Sequence, residues 1–177
     1  MVAFPTDTVY GVGVSAAHPG RVDALLALKQ RPAEKWIPIL VADLAQAAEA
    51  GWEADERAQR LTRRFWPGAL TLVLAAPTGE TQAFRAPDHP VALDLIRRTG
   101  PILATSANRS GEPDTLGADD VLIAFATQQD ELLAVIDGGA VPGGVASTVL
   151  DLSVMPARLL REGPISREQL ATVVEVA

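Results

Sequence analysis

Cysteine is absent from this chain of 177 residues, and histidine occurs only twice, as His18 and His89. The absence of cysteine excludes a disulfide framework, thiolate catalysis and cysteine-based zinc sites. Both histidines precede a proline in a turn-like context, so we interpret them as turn residues or as residues that begin a helix. Any chemistry is therefore expected to proceed without a thiol and without a well-placed imidazole.

Long apolar runs are also missing, although 48% of the residues are hydrophobic. No run approaches the roughly 18 consecutive apolar residues of a membrane span, and residues 1–20 lack the basic start and apolar stretch of a signal peptide. These features predict a cytoplasmic protein that does not associate with a membrane. Because a chain of this length buries a good core and contains no low-complexity linker, we expect a single domain over residues 1–177.

Positive charge is in the minority, since 15 lysine and arginine residues stand against 22 aspartate and glutamate residues, for a net charge of −7. This balance argues against a protein that mainly binds long nucleic acid, because that affinity grows with the number of phosphates contacted. A few cations gathered in one cleft can still bind a small anion such as a nucleotide. The basic residues considered for such a cleft are Lys29, Arg31, Arg85, Arg97, Arg98, Arg158 and Arg161.

Strand-like and helix-like segments interleave along the chain without a strict β-α-β order. Strands are predicted at 2–4, 8–14, 36–42, 69–76, 102–105, 133–137, 148–152 and 157–162. Helices are predicted at 20–29, 44–50, 55–66, 90–99 and 118–126, with a last one that starts in a capping box of Ser166 and Gln169. We expect a mixed α/β (α+β) fold of three layers, with a twisted sheet of parallel and antiparallel strands flanked by helices.

Two glycine-rich segments imitate nucleotide-binding motifs without matching them. Gly138 and Gly143 have the spacing of a Walker A motif, but Gly144 occupies the position of the lysine. The segment GVGVSA at 11–16 imitates a dinucleotide fingerprint, but the predicted helix near residue 20 begins too late to aim its N-terminus at a pyrophosphate. Neither segment is therefore interpreted as a phosphate-binding loop.

Two short polar segments lie beside predicted secondary structure. In LKQRP, Lys29 and Arg31 would diverge on a continuing helix, but they can converge on one anion where the helix unwinds. Alternatively, they are cations favoured by the dipole at a helix C-terminus. In FPTDTVYG, the hydroxyls of Thr6 and Thr8 can bind a polar substrate, or the segment is a turn in which Asp7 bonds backbone amides.

The densest polar segment is TSANRSG at 105–111. Ser106 and Asn108 follow a predicted buried strand, at the position where α/β sheets collect ligands, and they can orient a nucleotide. The alternative is an Asx or Ser turn. Ser147 precedes another strand and has the same character, while Arg161 ends a strand and either reaches a phosphate or is a surface residue.

The order of these segments is more informative than any one of them. FPTDTVYGVG, LKQRP, FRAPDHP, TSANRSGEP, ASTVLDL and LLREGPIS follow one another from Val2 to about Leu170, over nearly the whole chain. This series closely resembles the YrdC-like family of threonylcarbamoyl-AMP synthases, in its short single-domain form. The resemblance implies a three-layer YrdC/RibB-like fold with a concave, positively lined surface on a twisted mixed sheet.

The resemblance also implies a reaction, catalysed by a nucleotidyltransferase. L-Threonine, bicarbonate and ATP would give L-threonylcarbamoyladenylate, pyrophosphate and water, with Mg²⁺ held chiefly by the nucleotide and water and no metal ligand from the protein. The product would feed threonylcarbamoyladenosine modification at position 37 of tRNAs that read codons beginning with A. Expected partners are a downstream threonylcarbamoyl-transferase complex and, weakly, tRNA or double-stranded RNA.

The matched motifs also imply site residues. The implied catalytic tetrad around the phosphates and the carbamate, formed by a K-x-R pair and an S-x-N pair, is Lys29, Arg31, Ser106 and Asn108. The implied threonine-binding residues are Thr6, Arg85, Ser106 and Ser147. The implied ATP-binding residues are Lys29, Arg31, Asn108, Thr115 and Arg161. Arg85 would pair bidentately with the amino-acid carboxylate, and catalysis would depend mainly on positioning and electrostatics.

Two features depart from the family's pattern. The chain starts directly in the first predicted strand, where family members usually begin with a helix. Either the start of the sequence is placed too late or the helix is absent, and if it is absent we expect one face of the sheet to lose cover. KQRPAEKWIPIL replaces the commoner K-x-R-P-x-x-N-P-L and is expected to shape the nucleotide pocket differently.

Two other functions stay open. One is an RNA-binding or ribosome-maturation paralogue without synthase activity, against which the intact motif pairs and the negative net charge argue. The other is a carbamoyl-adenylate enzyme with a different acceptor, which usually forms part of a longer chain.

Overall fold

A computed structural model describes residues 1–29, 37–143 and 145–177 of the chain. Its strands are β1 (Val2–Pro5), β2 (Tyr10–Ser15), β3 (Ile39–Leu40), β4 (Leu70–Ala75), β5 (Thr81–Arg85), β6 (Ile102–Ser106), β7 (Ala134–Val135), β8 (Thr148–Asp151) and β9 (Arg158–Arg161). Its α-helices are α1 (Val22–Lys29), α2 (Leu44–Glu49), α3 (Glu56–Phe65), α4 (Pro90–Thr99), α5 (Ala118–Ala124) and α6 (Arg167–Ala171).

These strands form one sheet in the order β7-β1-β2-β6-β3-β5-β4-β8-β9. The sheet is mixed: β4 runs parallel to β8 and antiparallel to β5, and β8 and β9 form the hairpin expected from the sequence. The expected mixed α/β fold with flanking helices is therefore confirmed. Among the helices of the described residues, none is long and apolar enough to cross a bilayer.

Local capping chemistry accounts for where the helices begin and end. Ser166 and Gln169 form the expected capping box of α6, in which each side chain bonds the other's backbone N–H. His89 precedes Pro90 at the start of α4, and its Nδ1 accepts a backbone N–H of the first turn. The same helix ends before Gly100, whose φ of +83° lies in the region that favours glycine. His89 therefore begins a helix, as its sequence context indicates.

The segment GVGVSA lies mostly within β2 and does not form a phosphate-binding turn. A Cβ atom on Gly13 would come within 2.6 Å of Ile102 Cγ2 and 2.8 Å of the Leu103 carbonyl oxygen, so the neighbouring strand β6 leaves room only for glycine. A 3-10 turn at Pro19–Arg21 separates this strand from the start of α1 at Val22. Close strand packing therefore explains Gly13.

Alternation along the strands directs side chains to separate buried clusters. Ala3 packs in the cluster that includes α1 and α5, while the next residue, Phe4, packs with α4. Leu72 of β4 and Phe84 of β5 join the cluster that includes α2, α3 and α6. Helices thus pack against both faces of the sheet, and strand faces that they leave uncovered line an open cleft.

The middle of the sheet depends on a very short strand. The sequence predicts a strand over 36–42, of which residue 36 lies outside the described residues; within 37–42, β3 covers only Ile39–Leu40, and Pro38 before it has no N–H to donate to a ladder. β3 pairs antiparallel with β6 and parallel with β5. Two further bonds flank it, from the Ala104 N–H to the Pro38 carbonyl at 3.1 Å and from the Val41 N–H to the Arg85 carbonyl at 2.9 Å. β3 therefore joins the half of the sheet that ends in β6 to the half that begins with β5.

Candidate active site

An open cleft of about 480 Å³ lies over β4, β5 and β8 and extends to the end of β6. Thr71 and Arg85 form part of its floor, whereas the adjacent Leu72 and Phe84 point into the core. This alternation follows from the two-residue period of a strand. The other polar residues that line the cleft are Thr8, Thr105, Ser106, Asp114, Ser147 and Arg161.

Lys29 ends α1 and reaches the loop that follows β6. Its Nζ donates to the Ser106 carbonyl at 2.5 Å, to the Ser106 Oγ at 3.2 Å and to the Asn108 Oδ1 at 2.8 Å. The Ser106 Oγ also donates to the Asn108 Oδ1 at 2.6 Å. Lys29 and Asn108 are buried, and Ser106 lines the cleft. The structure thus brings together three residues of the predicted tetrad, while Arg31 lies outside the described residues.

Arg85 ends β5, and two segments of the chain hold its guanidinium in place. Nη2 pairs with the Asp7 Oδ1 at 2.6 Å, Nη1 donates to the Thr8 Oγ1 at 3.1 Å, and Nε donates to the Gly68 carbonyl at 3.0 Å. Both charged side chains are mostly buried, at 10% and 16% exposed. Three of five N–H donors are thereby used within the described chain, which leaves two that can bind a carboxylate.

Thr6, and not Asp7, organises the turn after β1. The Thr6 Oγ1 accepts the N–H groups of Thr8 and Val9 at 3.2 and 3.3 Å and donates to the Val9 carbonyl at 2.7 Å. The alternative in which Asp7 bonds backbone amides is therefore wrong, because that carboxylate turns to Arg85 instead. Thr6 is buried beside a smaller extension of the cleft. The Asp7–Arg85 pair was not foreseen from the sequence, since 78 residues separate its members.

Thr71, Ser147 and Arg161 form a second polar cluster in the cleft. The Thr71 Oγ1 and Ser147 Oγ are 2.8 Å apart, and Arg161 donates from Nε to the Ser147 carbonyl at 3.0 Å and from Nη2 to the Ser147 Oγ at 3.3 Å. Burial, and then the positive charge of Arg85, lower the pKa of Arg161. An anion bound between the two guanidinium groups would relieve their mutual repulsion.

No motif of the sequence implies a role for Thr71. Its signal was nevertheless present, because it is the single polar residue in the strand LTLVLA. Since successive side chains of a strand alternate between faces, a lone hydroxyl in such a run indicates a face that is not simply core.

Arg109 within the TSANRSGEP segment and Thr115 just after it lie apart from these clusters. Thr115 is buried, and its hydroxyl oxygen has no partner among the residues that the structure describes, while its neighbour Asp114 lines the cleft. Arg109 donates to the Ala124 carbonyl at 2.9 Å and so caps the C-terminus of α5. Three other basic residues also lie outside the lining, namely Arg97, Arg98 and Arg158.

The donor set of the cleft suits anions better than a metal ion held by the protein. Its polar lining consists mainly of hydroxyl groups and guanidinium groups, with Asp114 as its one carboxylate within the described chain. Across residues 1–29, 37–143 and 145–177, no three histidine, aspartate or glutamate side chains gather as a metal site. Mg²⁺ prefers oxygen ligands and keeps several waters, so it fits here only as the companion of a bound triphosphate.

The chain matches a known protein family over most of its length. The Sua5/YciO/YrdC family model, described as telomere recombination, matches residues 1–163. A relative from Bacillus subtilis (strain 168) named threonylcarbamoyl-AMP synthase is 41% identical, over 98% of this chain and 53% of that protein. A relative of the same name from Pyrococcus abyssi is 40% identical over the same shares. The chain belongs to the Sua5/YciO/YrdC family.

A solved structure has the same fold. The chain is similar to the crystal structure of P. abyssi Sua5 complexed with L-threonine, with a TM-score of 0.88 and 38% identity over 99% of this chain and 55% of that one. The resemblance carried by the six ordered motifs is thereby confirmed. The chain spans about half the length of the curated relatives named above, and its single-domain organisation stays a prediction.

Proposed function

We propose that this protein makes L-threonylcarbamoyladenylate from L-threonine, bicarbonate and ATP, and so acts as a nucleotidyltransferase. The observation that carries the proposal is the shared cleft, which is lined by Ser106, a partner of Lys29, and by Arg85 and Arg161. A substrate that carries both a carboxylate and a phosphate matches these cationic groups. The names of the relatives in Bacillus and Pyrococcus support the same activity.

The reaction balances without a covalent intermediate on the protein. The neutral amine of threonine attacks the carbon of bicarbonate, and loss of water leaves a carbamate. A carbamate oxygen then attacks the α-phosphorus of ATP, and pyrophosphate leaves. Because both steps use nucleophiles that the substrates supply, the protein has only to position the reactants and stabilise developing charge.

Each cluster of the cleft has a role in this scheme. The two remaining N–H donors of Arg85 bind the threonine carboxylate, for which a guanidinium offers a bidentate match. Lys29, fixed by Ser106 and Asn108, offsets charge on the phosphoryl oxygens as a cation placed before the reaction. Arg161 binds on the ATP side. Arg31, Thr6 and Thr115 keep the roles implied by the family motifs.

The proposed reaction also defines which form of ATP enters the cleft and which process uses the product. ATP enters as its Mg²⁺ complex, with the ion held by phosphate oxygens and water. The product serves threonylcarbamoyladenosine formation at position 37 of tRNA, through a separate transferase complex. A second candidate, an RNA-binding paralogue without synthase activity, has less support, because Arg85 and Arg161 line one small cleft and the net charge is −7.

Pyrophosphate release tests the proposal. The purified protein is incubated with Mg²⁺-ATP, bicarbonate and L-threonine, and the adenylate product is identified by mass. We expect release that depends on both bicarbonate and threonine. Release no greater than background, or release that is indifferent to threonine, would contradict the synthase. RNA binding in the absence of any release would favour the paralogue.

A further inference from the structure

Two buried hydroxyl groups meet on the floor of the cleft, where the proposed function places the amino acid. The Thr71 Oγ1 and the Ser147 Oγ are 2.8 Å apart, and the two residues are only 4% and 6% exposed. Both line the cleft and also its smaller extension. Within the described chain, the Thr71 hydroxyl bonds only to Ser147, so its remaining hydrogen-bonding capacity is directed to whatever occupies the cleft.

The hydrogen-bonding capacity of this pair matches a ligand hydroxyl. Each hydroxyl carries one proton and two lone pairs. One of the two protons is used in the bond between them, whichever atom donates, and the Ser147 Oγ also accepts from Arg161. One O–H donor and spare acceptor capacity therefore remain. A carboxylate could use only the donor and an ammonium only the acceptor, whereas a hydroxyl uses both.

The position of the pair relative to Arg85 suits the side chain of an α-amino acid. Leu72 of β4 lies opposite Phe84 of β5, so Thr71 and Arg85 occupy neighbouring strands on the same face of the sheet. Neighbouring strands are about 4.8 Å apart. An amino acid whose carboxylate binds Arg85 can therefore bring its β-substituent against Thr71 and Ser147.

From these observations we infer that Thr71 and Ser147 hydrogen-bond the β-hydroxyl of the amino-acid substrate, and that Thr71 is thereby a determinant of substrate specificity. This inference rests on the proposed function, because it takes an amino-acid substrate bound through Arg85. Valine has the shape of threonine with a methyl group in place of the hydroxyl. Bound valine would leave the buried donor of the pair unpaired, which is the situation that gives strong discrimination between isosteres.

The test uses the isosteric substitution Thr71→Val. The ratio of kcat/KM for L-threonine to kcat/KM for L-valine is measured by pyrophosphate release, and binding of both amino acids is measured by calorimetry. We expect the ratio to fall about tenfold or more, because the variant loses one neutral hydrogen bond to threonine and presents a methyl group to valine. The change is expected in the threonine KM, with the KM for ATP unchanged.

Thr62→Val is the matched control. Thr62 is also a buried threonine, but its hydroxyl bonds the Ala58 carbonyl within α3 at 2.9 Å, and it does not line this cleft. It is expected to keep the wild-type ratio. Thr71→Ser retains the hydroxyl and is expected to keep discrimination close to that of the wild type. If Thr71→Val does not fold, Thr71→Ser compared with Thr71→Ala answers the same question.

The outcomes separate the inference from the proposed function. A folded Thr71→Val protein with an unchanged ratio, or with a raised KM for ATP instead, overturns the inference while the synthase stands. Wild-type protein that binds threonine in preference to valine, with the preference lost in the variant but no pyrophosphate release in either, supports the inference and contradicts the synthase. Wild-type protein that shows no preference for threonine overturns the inference directly.

Discussion

Replacement of Lys29 by methionine tests whether this cation acts in the reaction or only stabilises the fold. The substitution keeps most of the length of the side chain and, among the described residues, removes two hydrogen bonds to Ser106 and one to Asn108. The Asn108 Oδ1 retains the bond from the Ser106 Oγ at 2.6 Å, so the main loss among these three bonds is one partner of the Ser106 carbonyl. An unsatisfied buried acceptor costs about 1–3 kcal/mol, and release from burying an ammonium group offsets part of that cost.

The expected net loss of stability is therefore about 1 kcal/mol, or about 2–4 °C in Tm for a chain of this size. Out of a typical free energy of unfolding of roughly 5–15 kcal/mol, this leaves nearly every molecule folded. The expected loss of kcat is far larger, about 10²–10³-fold, as for removal of one preorganised group that stabilises the transition state. Because kcat is expected to fall far more than the stability of the fold, a loss of activity in the folded variant can be assigned to the reaction and not to unfolding.

The assay is pyrophosphate release at saturating L-threonine, bicarbonate and Mg²⁺-ATP, with thermal unfolding measured on the same preparation. Arg98→Met is the matched control, because it removes the same unit of charge from an exposed i,i+4 pair with Asp94. It should change neither kcat nor Tm appreciably. A folded Lys29→Met protein whose kcat stays within about fivefold of the wild type would refute the assignment of Lys29 to the reaction.

Three further predictions concern the Asp7–Arg85 pair, the two arginines that line the cleft, and Asp151. Asp7→Ala leaves the buried Arg85 without its 2.6 Å partner and is expected to lower the free energy of unfolding by about 1–3 kcal/mol in chemical denaturation; an unchanged midpoint would show that the pair contributes no stability. Arg85→Gln should raise the KM for threonine and Arg161→Gln the KM for ATP, each about tenfold or more for a lost charge-assisted bond; steady-state kinetics with the reverse pattern would exchange their roles. Burial acts to raise the pKa of Asp151, but hydrogen bonds from Ser153 and Arg158 outweigh it and hold that pKa below its ordinary value. The ionised carboxylate therefore stabilises the fold above its unfolded pKa near 4, and this stabilisation is lost as the pH falls through the lower folded pKa. Asp151→Asn should be less stable at neutral pH and lose less stability on acidification, and parallel acid-unfolding curves would exclude this contribution.

Local signals made the element boundaries predictable to a large extent. Pro90 as the first residue of α4 and the Gly100-Pro101 pair after it set both ends of that helix, and the capping box of Ser166 and Gln169 sets the start of α6. β3 was predicted too long because apolar composition does not report which backbone groups find a partner. The sheet order was not predictable for a similar reason, since placing β6 between β2 and β3 depends on pairing between distant segments.

The contacts within the candidate site were likewise only partly predictable from the sequence. The contact of Lys29 with Ser106 and Asn108 could be anticipated, because the order of motifs carried a family resemblance. The Asp7–Arg85 and Thr71–Ser147 contacts could not, because no matched motif implied a role for Asp7 or Thr71, and each contact joins distant positions in the chain. Strand register decides such contacts, and register becomes visible only when both strands are in place.

The two-residue strand β3 sets the reach of the cleft. Ser106 and its partners belong to one side of this strand, and Arg85, Thr71 and Ser147 belong to the other. A slip of one residue at Ile39–Leu40 would displace one side against the other by about 3.3 Å, more than a hydrogen bond tolerates, and would also break the bonds from Arg85 to Asp7 and Thr8, which cross β3. The register of this short strand therefore fixes the distance between the two groups of polar residues, and with it the size of a substrate that can contact both.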